Sequence, residues 1–174
     1  RTAKHITENM DTDPAFYKKF SQLLEETIAA YEQARIDEIE YLKRVTECMN
    51  KVLSHTDSDI PVSIQNNNAA RAYFGLSLEV YKMIMKDGAE INLKEMALNT
   101  ANAIDTIIKE HIMDNEMIII DWPNKGNIIG KIKIEIEDYL IDEVKRMYNL
   151  PISFDDMDLI IDRCVEVAKL WFKQ

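Results

Sequence analysis

Apolar positions recur along this chain at three- and four-residue steps, the spacing of one face of an α-helix. Asp13-Pro14 is the first clear start signal, because Asp can cap free backbone N–H groups and Pro fits the first helical position. The spacing predicts a helix from there to about Ala34, with Phe16, Phe20, Leu23, Leu24, Thr27, Ile28 and Tyr31 on one side. Asp37 caps a second helix carrying Ile39, Leu42, Val45, Met49 and Val52 to about His55. The short link around Arg35-Ile36 makes the two an antiparallel hairpin. Thr56-Asp-Ser-Asp-Ile-Pro-Val-Ser is polar, contains Pro and reads as a loop.

Asn66 to Asn68 lead into a third helix through Ala70, Tyr73 and Phe74, with a bend expected at Gly75 before Leu78, Tyr81 and Met85 and a stop at Asp87-Gly88. Asn92 with Glu95 forms a capping-box-like start for a fourth, whose apolar face is Leu93, Met96, Ala97, Thr100, Ile104, Ile107, Ile108 and Met113. Met117-Ile-Ile-Ile-Asp-Trp-Pro favours extended backbone, with no obvious partner strand, and is expected as a short buried segment over 117–121. After Pro123 a long helix is predicted to Tyr148, with Ile129, Ile132, Ile136, Leu140, Val144 and Met147 on one side. A second stripe on it, Ile134, Ile141 and Tyr148, implies a helix that is either central or turned to a partner. Leu150-Pro151 ends it, and Ser153 with Asp156 starts a last helix carrying Met157, Ile160, Ile161, Cys164, Val165, Ala168 and Trp171. The fold class expected is all-α, a single-domain bundle of about six helices around one core over residues 1–174. Residues 1–56 form the hairpin, 57–65 the loop and 66–174 the remaining helices.

Composition narrows what such a bundle does. The hydrophobic share of 47% is that of a folded chain, and only four Gly and four Pro interrupt it. A formal charge of −10 repels phosphate. The basic pairs Lys18-Lys19, Lys43-Arg44 and Lys145-Arg146 are flanked by carboxylates and read as solvated faces. Cys48 and Cys164 lack metal or redox spacing and lie in apolar-periodic segments, so reduced thiols in a cytoplasmic protein are expected. There is no apolar run of membrane-spanning length and no signal peptide. The chain starts at Arg1 rather than Met, so a piece of a longer polypeptide is expected.

Chemistry is sparse. Gly126-Asn-Ile-Ile-Gly130-Lys131 resembles a phosphate-binding loop but has three residues between its glycines and Ile132 after the Lys. Glu143-Val144-Lys145 matches half of a nuclease carboxylate–lysine site, with Asp121 the other acid considered; a solvated helix face is the simpler reading. His5, His55 and His111 are scattered, Asp57-Ser-Asp59 lacks the rest of a calcium loop, and Asp155, Asp156 and Asp158 suit a helix N-terminus. No catalytic, cofactor-binding or metal residue is assigned. Trp122, Trp171 and Phe172 are large enough to anchor an interface, although burial in the core is the commoner fate of such side chains.

One resemblance goes further. The run from His5-Ile-Thr-Glu-Asn-Met-Asp-Thr-Asp-Pro-Ala-Phe-Tyr to Thr27-Ile28, continued by Ile39-Glu-Tyr-Leu-Lys-Arg-Val, is similar to the C-terminal part of the R subunit of type I restriction endonucleases. Ala69-Ala-Arg-Ala-Tyr-Phe-Gly, Ile120-Asp-Trp and Val144-Lys-Arg-Met-Tyr-Asn-Leu-Pro extend the similarity over most of the chain. These are packing and capping residues, so no catalytic residue carries over. The resemblance implies a helical region of an ATP- and Mg-dependent site-specific deoxyribonuclease subunit whose nuclease and translocase motifs lie outside these 174 residues. The expected role is non-enzymatic: docking the motor on the methyltransferase and specificity subunits, with Ile134, Ile141, Trp171 and Phe172 as candidate contacts and DNA met through the whole complex. The alternative is a domain that guides the translocating duplex through local Lys and Arg side chains.

Overall fold

A computed structural model describes residues 2–85 and 92–173. Its α-helices are α1 (Thr2–Asn9), α2 (Pro14–Glu32), α3 (Glu38–Ser54), α4 (Asn68–Ile84), α5 (Leu93–Ile112), α6 (Gly126–Tyr139) and α7 (Phe154–Trp171). The fold is all-α, with one short two-stranded hairpin, β1 (Met113–Asp114) and β2 (Met117–Ile118). The start signals of five helices are realised in atomic detail. Asp13, Asp37, Asn67, Asn92 and Ser153 each accept the backbone N–H three residues on. Ser153 and Asp156 complete a reciprocal capping box, and each such cap stabilises its helix by about 1 kcal/mol. The expected stop at Asp87-Gly88 lies outside the described residues.

Several expectations need correction, among them the stripe residues Leu23, Ile28, Tyr31, Ile39 and Leu42, which are exposed, and four that concern whole elements. Helix α1 was not anticipated: only Ile6 of its eight residues is buried, so it shows no repeat to read. The 117–121 segment does have a partner strand, Met113–Asp114, paired in the register Met113↔Ile118 and Asp114↔Met117. Met113 therefore leaves the helical face assigned to it. Asn115 and Glu116 both adopt positive φ, 48° and 64°, as a two-residue hairpin turn requires. Nor is the segment buried, since Met117 and Ile120 are 70% and 74% exposed. Gly75 does not bend α4, which runs unbroken; a Cβ added there would come within 2.7 Å of the Ala15 Cβ, so the glycine permits α2 to cross α4 at close range.

The fourth concerns the long helix after Pro123. It follows a single-turn 3₁₀ segment, Trp122–Asn124, and its last two turns, Leu140–Met147, are π-helical. Its buried row is Ile128, Ile132, Ile136, Leu140 and Val144, one residue every four. Four residues of α-helix overshoot a full turn by about 40°, so such a row drifts off any flat neighbour. The wider π turns, closed by bonds to the fifth residue back, counter that drift and keep Val144 in the core. Tyr148 N–H accordingly donates to Glu143 O. Met147, expected on the buried side, is 75% exposed, and Ile129 is only half-buried.

The centre of the bundle belongs to α4, between α5, α7 and α2. Its small residues Ala69, Ala70, Ala72 and Ser77 are buried on every side, which lets three helices approach it. Where one core was expected, the buried apolar residues form two clusters. The larger spans α4 to α7; the smaller gathers Ile6, Phe16, Tyr17, Phe20, Leu24, Cys48 and Val52 from α1, α2 and α3. Ile60, in the loop between α3 and α4, packs against both. Among the described residues no helix is long and apolar enough to cross a membrane.

Candidate functional site

The densest polar chemistry lies where the two clusters meet, beside a cleft of about 370 Å³ between α2, α4 and the loop after α3. Asp13 and Arg71 line it, and His55, from a third segment, is hydrogen-bonded to both. Asp13, 2% exposed, uses one oxygen to cap α2 through Phe16 N–H and the other to pair with His55 Nε2 at 3.0 Å. His55 arrives because α3 ends there in a left-handed turn, at φ 50°. Arg71, from the first turn of α4, is 8% exposed and donates to Gln65 O at 2.8 Å, His55 O at 3.4 Å and Asn68 Oδ1 at 2.6 Å. Burial draws the Arg71 guanidinium below its ordinary pKa, against the pull of Asp13. Burial, and next the Asp13 carboxylate, push the Tyr17 phenol up.

A carboxylate that orients an imidazole is half of many acid–base sites, which also need a reacting group within reach of the ring. Here the imidazole stacks on Phe16 with centroids 4.2 Å apart and meets the edge of Tyr17 at 5.4 Å. Arg71 is engaged by two carbonyls of the α3/α4 connection. The group thus acts as a clasp that fixes the α1/α2 joint, the end of α3 and the start of α4 in one geometry. Sequence reading took Asp13 as a cap alone and gave Arg71 no role. The available signal was a lone charge inside Ala69-Ala-Arg-Ala, which a helix interior tolerates only when paired or hydrogen-bonded.

The cleft rim is charged and internally balanced. Lys18 pairs with Glu79, and Lys19 with Asp57 and Asp59. Lys94, from α5, also reaches Asp59 at 3.0 Å. Donation first from Lys19 and then from Lys94 lowers the Asp59 carboxyl to about 2. Asp57-Ser-Asp59 therefore ties its loop to α2 and α5.

The remaining candidates stay apart. Asp121 precedes α6 while Glu143 and Lys145 lie near the far end of its π-helical extension, on the order of 25 Å away at about 1.5 Å per residue. Lys145 instead sits 5.0 Å over the Phe154 ring. Gly126 and Gly130 occupy the start of α6, where an added Cβ would meet nothing within 4 Å. His5 packs at 6.3 Å from Tyr17, and His111 Nε2 lies 2.9 Å from Glu135 without hydrogen-bonding geometry. Among the described residues no group of three or more His, Cys, Asp or Glu is placed to hold a metal ion. Arg44 pairs with Glu40 and Arg146 with Asp142, each along its own helix. Both cysteines are free and buried.

Of the four proposed contact residues, Ile134 is 59% exposed on α6, whereas Ile141, Trp171 and Phe172 are half-buried against the larger cluster. Trp171 Nε1–H donates to Thr12 O and Trp122 Nε1–H to Phe172 O, both at 2.9 Å, so the C-terminal aromatic residues tie α7 to the α1/α2 link and to the start of α6. In comparison with known proteins, no family model, no curated protein and no solved structure matches the chain.

Proposed function

We propose that this chain is a non-catalytic assembly domain, the C-terminal helical region of a type I restriction enzyme's R subunit, which docks the ATP-dependent translocase and endonuclease on the methyltransferase and specificity subunits. The observation that carries this reading is the α2/α4 crossing. Two stretches of the resemblance, Asp13-Pro-Ala-Phe and Arg71-Ala-Tyr-Phe-Gly, lie 55 and more residues apart in sequence, yet residues of both line one cleft, with Ala15 against Gly75. Part of the resemblance thus falls in one packing joint, made by residues distant in sequence. A joint of that kind shapes a scaffold and moves no bonds. Ile134 is the candidate contact whose side chain stands free for a partner, since an isoleucine at that exposure contributes nothing to the bundle's own core.

The test uses the intact R subunit. Removal of these residues is expected to abolish copurification with the methyltransferase and specificity subunits, and Ile134→Glu to weaken it while ATP hydrolysis on DNA by the subunit's own motor domains persists. Undiminished assembly after removal would sink the proposal. A salt-sensitive shift of duplex DNA by the chain alone would instead favour the duplex-guiding role.

A further inference from the structure

Helix α3 carries two apolar stripes and uses only one. Cys48 and Val52 enter the smaller cluster, with Val45 packed beside them. On another face, Ile39, Leu42, Thr46, Met49 and Leu53 follow one another at steps of three, four, three and four residues, which confines them to about 80° of the helix circumference at 100° per residue. Ile39, Leu42 and Leu53 are 79%, 55% and 63% exposed. That alternation is the spacing of a coiled-coil seam, in which each apolar side chain drops between those of a facing helix.

We infer that the seam seats α3 of a second copy of this chain, antiparallel, about a twofold axis beside Thr46. The two ends of the seam are complementary to each other rather than alike. At the C-terminal end, α1 and α3 enclose a groove of about 530 Å³ with Met49, Val52 and Leu53 on its floor and Thr2, Lys4, His5 and Glu8 on its α1 side. At the N-terminal end Ile39 and Leu42 are exposed outside any such groove. A twofold copy running the opposite way sets Ile39 against Leu53 and Leu42 against Met49 of the other chain, so each projecting end enters the other's groove. Such a contact is isologous and closes at two subunits. The open flank of the seam holds Lys43 and Asn50, which this register places opposite one another, so no like charges meet there. Lys43 has no ion pair among the described residues. Thr46, the smallest seam residue, lies on the axis, where the helices come closest. A seam of this length covers on the order of 1,000 Å² in total, the lower bound for a specific interface. The net charge of −10 opposes the association, and the dimer forms at micromolar rather than nanomolar concentration.

This inference goes beyond the docking role and uses a different face, so loss of one leaves the other standing. The chain is examined by sedimentation velocity from about 1 to 200 µM, where a monomer–dimer equilibrium is expected. Leu42→Glu and Met49→Lys, both at or near the surface, should each give monomers with unchanged helix content, and mixing the two should restore a mixed dimer because those positions face each other. Thr46→Cys should cross-link to itself on mild oxidation far faster than Leu42→Cys. A monomer throughout the range, failure of the mixed pair to associate, or equal cross-linking at both positions would each overturn the inference.

Discussion

A methyl group at Gly75 has nowhere to go, because the Ala15 Cβ lies 2.7 Å from where it would be built. Gly75→Ala is therefore expected to destabilise the fold by about 1–3 kcal/mol, although alanine is the better helix former by nearly 1 kcal/mol. Ala15→Gly in the same chain should recover part of the loss, and urea denaturation of the two single variants and the double variant measures the coupling. At Asp59 the expected effect is smaller and depends on pH. Its carboxyl falls from 3.8 to about 2 through Lys19 and then Lys94, so the stabilisation is complete above the unfolded value near 3.8 and disappears as pH drops through about 2. The side chain is 53% exposed, so solvent screening keeps the effect at about 0.2–1 kcal/mol. Asp59→Asn should lower the urea midpoint at pH 7, and the difference from the parent chain should shrink steadily between pH 4 and pH 2. An unchanged difference at pH 2 would mean that the ion pairs are not its source. Asp59 was legible only as an acid in a loop, for its partners lie 40 and 35 residues away in sequence.

Among the elements, the rod formed by α6 and its extension shows how far periodicity reads correctly. Apolar residues at roughly helical spacing established a long helix there. The side expected to be buried is correct for Ile132, Ile136, Leu140 and Val144, while excluding Met147 required knowing where the turns widen. An unbroken α-helix carries Val144 about 160° round from Ile128, measured at 100° per residue, whereas the π turns return it to the core at 0% exposure and leave Met147 outside. Val144→Ala should then cost about 1–3 kcal/mol and Met147→Ala within about 0.5 kcal/mol of nothing, as thermal or urea unfolding reports. Similar losses at both positions would contradict the π-helical register. A row of buried residues at constant four-residue steps was the available signal. The β1/β2 hairpin had one too, since Asn115 suits positive φ, but a two-residue strand is too short for an alternating pattern to form.

Across the whole molecule the division into two clusters matters most. The smaller has seven fully buried apolar residues, shares Ile60 with the larger, and is joined to it through the Asp13/His55/Arg71 clasp. Fewer buried contacts mean a lower free energy of local opening. Amide hydrogens of α1 and α3 are expected to exchange at lower protection than those of α5 and α7. His55→Ala should widen the gap by loosening the clasp while leaving α5 and α7 unaffected. Uniform protection across both clusters, measured by native-state hydrogen exchange, would show instead that they open as one unit.

What the sequence determined by itself was local: helix starts at Asp13, Asp37, Asn92 and Ser153, the all-α class, the apolar face of α7 and, Met113 apart, that of α5, whereas Leu23, Ile28 and Tyr31 of the stripe expected on α2 are 41%, 37% and 42% exposed. Each depends on residues within a turn or two of one another, where a cap or a repeating stripe acts through short backbone geometry. Tertiary structure decided the rest. It placed α4 at the centre through its small residues, brought Arg71 to His55 and Asp13, drew Trp171 to Thr12, and left one stripe of α3 uncovered. None of these follows from spacing, because burial of a side chain is a property of what packs against it, and the packing partner is specified by the whole chain.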